Sequence, residues 1–276
     1  MQKTFLVTGS TDGIGLETAR MLVSLGHNVL LHGRNPAKLE EVERTLSALP
    51  DEGRVESYVS DLSRMANVEE LAKAVAEKHT KLDVLINNAG VFKTPDPITQ
   101  DGLDVRFAVN TIAPYLLTQR LMPLFGASGR VINLSSAAQS PVDPEALAGQ
   151  VKLSDDFAAY AQSKLALTMW SRSIALSLKD DGPAIIAVNP GSMLGTKMVK
   201  EAFGMAGNDI RIGAEILTRA ALADEFETAS GQYFDNDSGQ FASPHPDALD
   251  PQKSEEIVRV IEAVLAEITQ SDENHL

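Results

Sequence analysis

Short apolar runs alternate along this chain with longer stretches in which apolar residues recur every three or four positions. "TFLVTG" (4–9) is an unbroken apolar run closed by glycine, the pattern of a strand buried on both faces. "IGLETARMLVSLG" (14–26) then sets Ile14, Ala19, Leu22 and Leu25 along one helical stripe and stops at Gly26. "NVLLHG" (28–33) predicts a second strand. "NPAKLEEVERTLSAL" (35–49) predicts a helix with Asn35 as its cap and Pro36 in its first turn. Strands follow at "RVESYVSD" (54–61), "LDVLINNAG" (82–90), "RVINLSS" (130–136) and "AIIAVNPG" (184–191), with an amphipathic helix at "MANVEELAKAVAEKH" (65–79). Such alternation predicts an α/β fold built on a mostly parallel sheet covered on both sides.

Ligands of such sheets sit in the crevice beyond the carboxyl ends of the strands. The residues at those exits are Thr8-Gly9, Arg34, Asp61, Asn87-Asn88-Ala89-Gly90, Ser135-Ser136 and Asn189-Pro190-Gly191. No repeat, low-complexity tract or linker divides the chain, so one domain over 1–276 is expected. The least regular parts, 139–157 and 231–252, are rich in Pro, Asp, Ser and Gly.

Composition narrows the chemistry. An apolar content of 43% suffices for a large core. No apolar run approaches the roughly 18 residues needed to cross a bilayer. The start, Met1-Gln2-Lys3-Thr4, leads directly into Phe5-Leu6-Val7 and leaves no room for a secretory signal. With no cysteine there are no disulfides, thiol nucleophiles or thiolate metal sites, which fits a reducing, cytoplasmic setting. The net charge of −14 argues against nucleic acid or anionic membrane as a partner. No His/Asp/Glu cluster has metal-site spacing, and His245 is read as a loop residue without a role.

"TGSTDGIG" (8–15) joins the first strand to the first helix. Its glycines, Gly9, Gly13 and Gly15, differ in spacing from the G-x-G-x-x-G fingerprint but meet the same need. They let the backbone N–H groups of Gly9, Ser10, Thr11, Asp12, Gly13, Ile14 and Gly15 approach a diphosphate at a helix N-terminus. At the end of the second strand an acid would hold the ribose 2′-hydroxyl of NAD, whereas an Arg accommodates the 2′-phosphate of NADP. The chain offers Arg34 and no acid before Glu40, so NADP(H) is expected. The plain alternative is that Arg34 is a solvated loop charge.

Tyr160 and Lys164 lie one helical turn apart in "AAYAQSKLALTMW" (158–170) and share a face. Alone the pair is a weak signal. Together with Thr8-Gly9-x-x-x-Gly13-x-Gly15, Asp61, Asn87-Asn88-Ala89-Gly90, Asn110, Ser136 and Pro190-Gly191, in this order, it resembles the short-chain dehydrogenase/reductase family over nearly the whole chain. The resemblance implies a single-domain, doubly wound Rossmann fold with a seven-stranded parallel sheet flanked by helices. It also implies NAD(P)-dependent interconversion of an alcohol and a carbonyl compound. A phenol near pKa 10 is a poor base at neutral pH, and a nearby ammonium stabilises the phenolate. Tyr160 is therefore the expected acid/base and Lys164 its activator, with a second task, by resemblance, of holding the nicotinamide ribose.

Either Ser135 or Ser136 could hydrogen-bond the substrate oxygen; the family pattern N-x-[SG]-S, aligned on Asn133, selects Ser136. By the same resemblance Asn110 holds a water of a proton relay, and Asp61 and Leu62 flank the adenine, although Asp61 is equally plausible as a helix cap. Asn88, Ala89 and Gly90 contact the cofactor while Asn87 braces the sheet. Pro190 and Gly191 line the cofactor site, and Thr196 reaches the carboxamide or diphosphate.

Ser136 and Tyr160 are 24 residues apart, more than is common in the family. The extra stretch, 139–157, resembles the insertion of retinol-dehydrogenase-like and WW-domain-oxidoreductase-like members, as do "GRNPAKLEEV", the late strand "SGQYF" and a helix at 251–269. A substrate lid is expected over about 192–225. Its first part, 192–212, carries three of the eight methionines, which fits a hydrophobic carbonyl or alcohol substrate or ordinary core packing. The insertion precedes the helix through which many members dimerise. A homodimer is expected, with a monomer as the alternative. Two other functions stay open, a catalytically silent NADPH-binding sensor or scaffold and an epimerase or dehydratase on the same fold. The latter usually has a G-x-x-G-x-x-G first loop and a larger C-terminal domain.

Overall fold

The computed structural model describes residues 1–50, 53–179, 181–204 and 206–273, so the expected lid methionine Met205 lies outside the described residues. From the N-terminus the elements run β1 (Thr4–Val7), α1 (Gly13–Ser24), β2 (Asn28–Gly33), α2 (Pro36–Ser47), β3 (Val55–Val59), α3 (Met65–Lys78) and β4 (Val84–Asn87). Then come α4 (Val105–Phe107), α5 (Ala113–Leu121), β5 (Arg130–Leu134), α6 (Pro144–Leu147), α7 (Asp156–Leu178) and β6 (Ala184–Asn189). The chain closes with α8 (Lys197–Phe203), α9 (Arg211–Leu222), β7 (Tyr233–Asp235), β8 (Gln240–Ala242), α10 (Pro246–Leu249) and α11 (Pro251–Glu273).

The strands form one sheet in the order β3-β2-β1-β4-β5-β6-β7-β8. Strand order reverses on either side of β1, so the exits of β1 and β4 frame a crevice at the switch point. Seven of the strands are parallel, as the alternation predicts. The eighth is a correction to the expected sheet: β8 pairs antiparallel with β7 through Tyr233↔Ala242, Phe234↔Phe241 and Asp235↔Gln240. The intervening turn ends at Gly239, whose φ of 70° suits only glycine at low cost. A three-residue strand is too short for an alternation signal, which is why the pattern of apolar positions misses it.

Helices cover both faces. On one side Phe5, Val7, Leu22, Leu31, Ile132, Ile186 and Leu217 pack under α1, α2 and α9. On the other, Leu6, Leu85, Val131 and Ile185 pack against α3, α5, α7 and α11. Neighbours such as Phe5 and Leu6 point to opposite cores because side chains alternate along a strand. This is why β1 reads as a continuous apolar run.

Two features set the position of α7. Arg106, fully buried, forks onto Asp104 (Nη2–Oδ2 2.6 Å) and reaches Asp156 in the first turn of α7 (Nη1–Oδ1 2.5 Å). Its guanidinium thus ties the start of α4 to the start of α7 by charge-assisted hydrogen bonds. On the outer side, Ile257, Ile261 and Val264 of α11 join the core beneath Trp170, and Tyr115 of α5 donates to Glu262 at 2.9 Å. Among the described residues no helix is long and apolar enough to cross a membrane.

Candidate active site

The site is assembled where β1, β4 and β5 end. Gly9 leaves β1 with φ +65°, and a Cβ there would stand 2.9 Å from the Cα of Ala89. At Gly15 a Cβ would lie 2.3 Å from both the carbonyl oxygen of Gly9 and Nδ2 of Asn88. These two positions admit only glycine because two strand exits press together here. Asp12 caps α1 by accepting from the N–H of Gly13 at 2.8 Å.

Polar side chains fasten this turn. The buried hydroxyl of Thr8 accepts from the N–H groups of Asn88 (3.0 Å) and Ala89 (3.1 Å). In return Asn88 donates to the carbonyls of Thr8 (2.9 Å) and Gly9 (3.0 Å), so its amide holds the loop in shape. Asn87 donates to Asn133 of the neighbouring β5 (2.8 Å) and to Thr118 of α5 (3.3 Å), a bracing role. Ser10 is buried and exchanges hydrogen bonds with the backbone of His32.

His32 itself escapes the sequence reading. Its Nδ1 accepts from the N–H of Gly9 at 3.1 Å while Nε2 faces the carbonyl of Ser60 at 3.1 Å. Those partners fix the neutral tautomer with the proton on Nε2. Burial is the main cause that holds its pKa down, to about 4. The available signal was one polar residue inside the apolar run "NVLLHG".

Arg34 is exposed just past β2. A second cation, Lys38, stands one turn into α2 and pairs with Asp12 at 2.8 Å, so the glycine turn and the start of α2 are bridged. Hydrogen bonding to Lys38 is the leading cause that lowers the Asp12 carboxyl below its usual range. Asp61 accepts from the N–H of Ser63 at 3.0 Å in the turn ahead of α3, whose N-cap is Arg64, so Asp61 does not cap the helix, and Leu62 is buried in the core below. Pro190 is buried, with its carbonyl accepting from Asn236 at 2.9 Å, and Gly191 donates to Asn189 at 3.3 Å. Thr196 caps α8 and overhangs the glycine turn, its Cγ2 lying 3.6 Å from where a Cβ of Gly13 would stand.

The four expected catalytic residues converge. A Cβ at Gly90 would lie 3.5 Å from Oδ1 of Asn110 and 3.7 Å from Nζ of Lys164. Asn110 falls in a π-helical turn, Ala108–Ile112, and grips the backbone of Val91 from both sides, accepting at 2.7 Å and donating at 2.8 Å. Its amide also donates to Ser163 of α7 at 3.0 Å. Both ends of the carboxamide thus carry protein partners. The two serines face opposite ways. Ser135 is buried against Thr168 at 2.7 Å, whereas Ser136 is partly accessible and neighbours Tyr160.

The electrostatics differ from the sequence expectation in one respect. Burial pushes the Tyr160 hydroxyl up from the ordinary phenol range, and the hydrogen bond from Ser136 pulls it back. Lys164 is not among the lowering causes. Its Nζ is turned to the carbonyl of Leu134 at 2.7 Å and lies 5.7 Å from the centroid of the Tyr160 ring. With no carboxylate beside it, burial brings Lys164 down to about 7.

The mouth of the site is aromatic. Phe92 meets Tyr160 edge to face, with centroids 5.0 Å apart at 77°, and reaches Phe157, which is 51% exposed. Met198 of α8 brings its Cε within 3.8 Å of the position a Cβ at Gly90 would take. Among the described residues no cluster of three or more His, Asp or Glu side chains could hold a metal ion.

A family model described as short chain dehydrogenase matches residues 3–206. Retinol dehydrogenase 13 of Mus musculus is 35% identical over 268 residues, which span 91% of this chain and 80% of that protein. An uncharacterised protein from Mycobacterium paratuberculosis superposes with a TM-score of 0.80 at 26% identity, covering 95% of this chain and 93% of the other. The NADPH-bound carbonyl reductase from chicken fatty liver superposes with a TM-score of 0.67 at 25% identity, covering 88% and 94%.

Proposed function

Since this chain belongs to the short-chain dehydrogenase/reductase family, in its retinol-dehydrogenase-like branch, we propose that it interconverts an apolar carbonyl compound and its alcohol with NADP(H). The observation that carries the reading is the meeting of Ser136, Tyr160 and Lys164 beside a glycine cradle at the sheet's switch point.

The residues present fit a dinucleotide. Gly9 and Gly15 let the turn fold tightly against Ala89 and Asn88, and the turn ends at the N-terminus of α1, which favours a diphosphate. Lys164 spends one hydrogen bond on Leu134, and an ammonium has three donors, so donors are left for ribose hydroxyls. Arg34, with Lys38 nearby and no acid at the end of β2, supports the phosphorylated form of the cofactor. When bound, the nicotinamide supplies or accepts the hydride.

What the chain adds is proton handling and orientation. Tyr160 gives its proton to the oxygen in reduction and takes it back in oxidation. Ser136 holds that same oxygen by hydrogen bond as its charge changes. Lys164, brought near neutrality by burial, reprotonates readily at working pH and so can refill the tyrosine through hydroxyls or water. Phe92, Phe157 and Met198 give the entrance an apolar lining, which supports a hydrophobic substrate.

A panel of apolar aldehydes, ketones and secondary alcohols, followed by NADPH absorbance, tests the reading. Turnover of at least one class is expected. Tight NADPH binding without any turnover would turn the assignment toward a silent sensor.

A further inference from the structure

The β7–β8 hairpin, whose second strand carries no sequence signal, reaches the catalytic serine. The carbonyl of Ser136 accepts two side-chain hydrogen bonds, one from Gln139 Nε2 at 2.9 Å and one from the hydroxyl of Tyr233 at 3.1 Å. Tyr233 stands on β7, distant in sequence from Ser136, and Gln139 opens the insertion that separates Ser136 from Tyr160. The Gln139 amide is itself oriented, since its Oε1 accepts from the N–H of His245 at 3.3 Å, on the loop after β8. Nε2 also lies 3.4 Å from the Ser135 hydroxyl.

We propose that Gln139 and Tyr233 are positioning residues that lock the Ser136 peptide so that the serine hydroxyl proton is aimed at Tyr160 and the substrate oxygen. The proposal rests on the reading of Tyr160 as the acid/base. Its logic is directional. A carbonyl gripped at both lone pairs cannot rotate, and the plane of the Ser136–Ala137 peptide sets where the Ser136 side chain emerges. The Ser136 Oγ then accepts from the N–H of Ala138 at 3.1 Å. With that acceptor position filled, the single hydroxyl proton is left to donate onward, toward the neighbouring Tyr160 and the substrate oxygen. Tyr233 is a dependable donor because burial, together with Asp235 and Asp237, pushes its phenol above the ordinary range.

The arrangement is testable because both residues border a cleft of about 290 Å³ that also exposes Asp235, Asp237 and His245. Trimming either one leaves space that water can reach, so the fold is expected to survive.

Tyr233→Phe and Gln139→Met remove the hydrogen bonds and keep the shapes. Each is expected to lower kcat for NADPH-driven reduction of a probe aldehyde such as nonanal by about tenfold, and the pair together by up to about a hundredfold. NADPH affinity, read by fluorescence, should not change. In a Ser136→Ala background the same two substitutions should do nothing further, since they act through that hydroxyl. A readout free of turnover is near-UV titration of tyrosinate with NADP+ bound. The step that belongs to Tyr160 is identified as the one that vanishes in Tyr160→Phe. That step should move to higher pH in both variants. The proposal is overturned if neither variant moves kcat or the Tyr160 step, or if both act equally in the Ser136→Ala background. Full turnover by Tyr160→Phe would instead sink the catalytic reading, and the titration would still report whether Gln139 and Tyr233 govern the Ser136–Tyr160 bond.

Discussion

The cofactor side of this molecule and its substrate side are built differently. Around the glycine turn, Thr8, Ser10, His32 and Asn88 tie three strand exits together. Over the substrate side, the described residues of 192–212 are held by the bridge between Leu194 and Asn208, the short helix α8 and bonds from Ser192 to Asp237. Local stability follows such density of buried contacts. A rigid cradle suits a cofactor that is the same in every cycle, and a loosely held cover suits a substrate that must enter and leave.

The chemistry sits on the seam between the two, and breaking it should give the largest effect. Tyr160→Phe is expected to lower kcat by about a hundredfold to ten-thousandfold while NADPH affinity stays within about twofold, as steady-state rates and fluorescence titration would show. Near-wild-type rates would remove the phenol from the mechanism.

The next effect tests the rigidity of the cofactor side through pH. The folded pKa of His32, about 4, lies below its ordinary 6.5. The unfolded chain therefore binds that proton more readily. The contribution is complete above about pH 6.5 and is lost as pH falls through about 4, a difference of about 3 kcal/mol. His32→Asn, which can still accept from Gly9, should flatten the slope of unfolding free energy over that window, as urea titrations across pH would reveal. An unchanged slope would mean that His32 is not held neutral.

Arg34→Ala sharpens the cofactor assignment. Loss of a charge-assisted contact should weaken NADPH binding by roughly tenfold to a hundredfold and leave NADH nearly untouched. Equal loss for both dinucleotides would show that Arg34 does not read the 2′-phosphate. The smallest effect belongs to the cover. Met198→Ala should change unfolding free energy by no more than about 0.5 kcal/mol, against the several expected at His32, and appear in KM for a bulky substrate. A large loss of stability there would erase the contrast between the two sides.

The same division explains what could be read from the amino acids alone. Glycines, the Tyr160/Lys164 pair and the strand exits are legible because each depends on local chemistry: a backbone without a side chain, a one-turn spacing, an apolar run with a polar end. His32, Gln139 and Tyr233 are not, because their importance comes from partners brought in from remote positions. No local pattern distinguishes a histidine that receives the N–H of Gly9 from one that merely fills a strand. Asn88 and Asp61 show the converse. Both stand where the resemblance implies cofactor contacts, and their side chains are bonded to the protein, Asn88 to the glycine turn and Asp61 to the turn before α3. Lys164 shows a third limit, since spacing placed it beside Tyr160 but could not reveal that its ammonium turns toward Leu134.

The long terminal helix carries a consequence for how the enzyme exists in solution. It covers α7 with its own Ile257, Ile261 and Val264, and its Glu262 accepts from Tyr115 of α5. A face satisfied from within has little to gain from a stranger. Light scattering should therefore find particles of one chain's mass, 29.6 kDa, with each catalytic centre working alone and without communication between sites. Particles of twice that mass at micromolar concentration would mean that pairing uses some other surface.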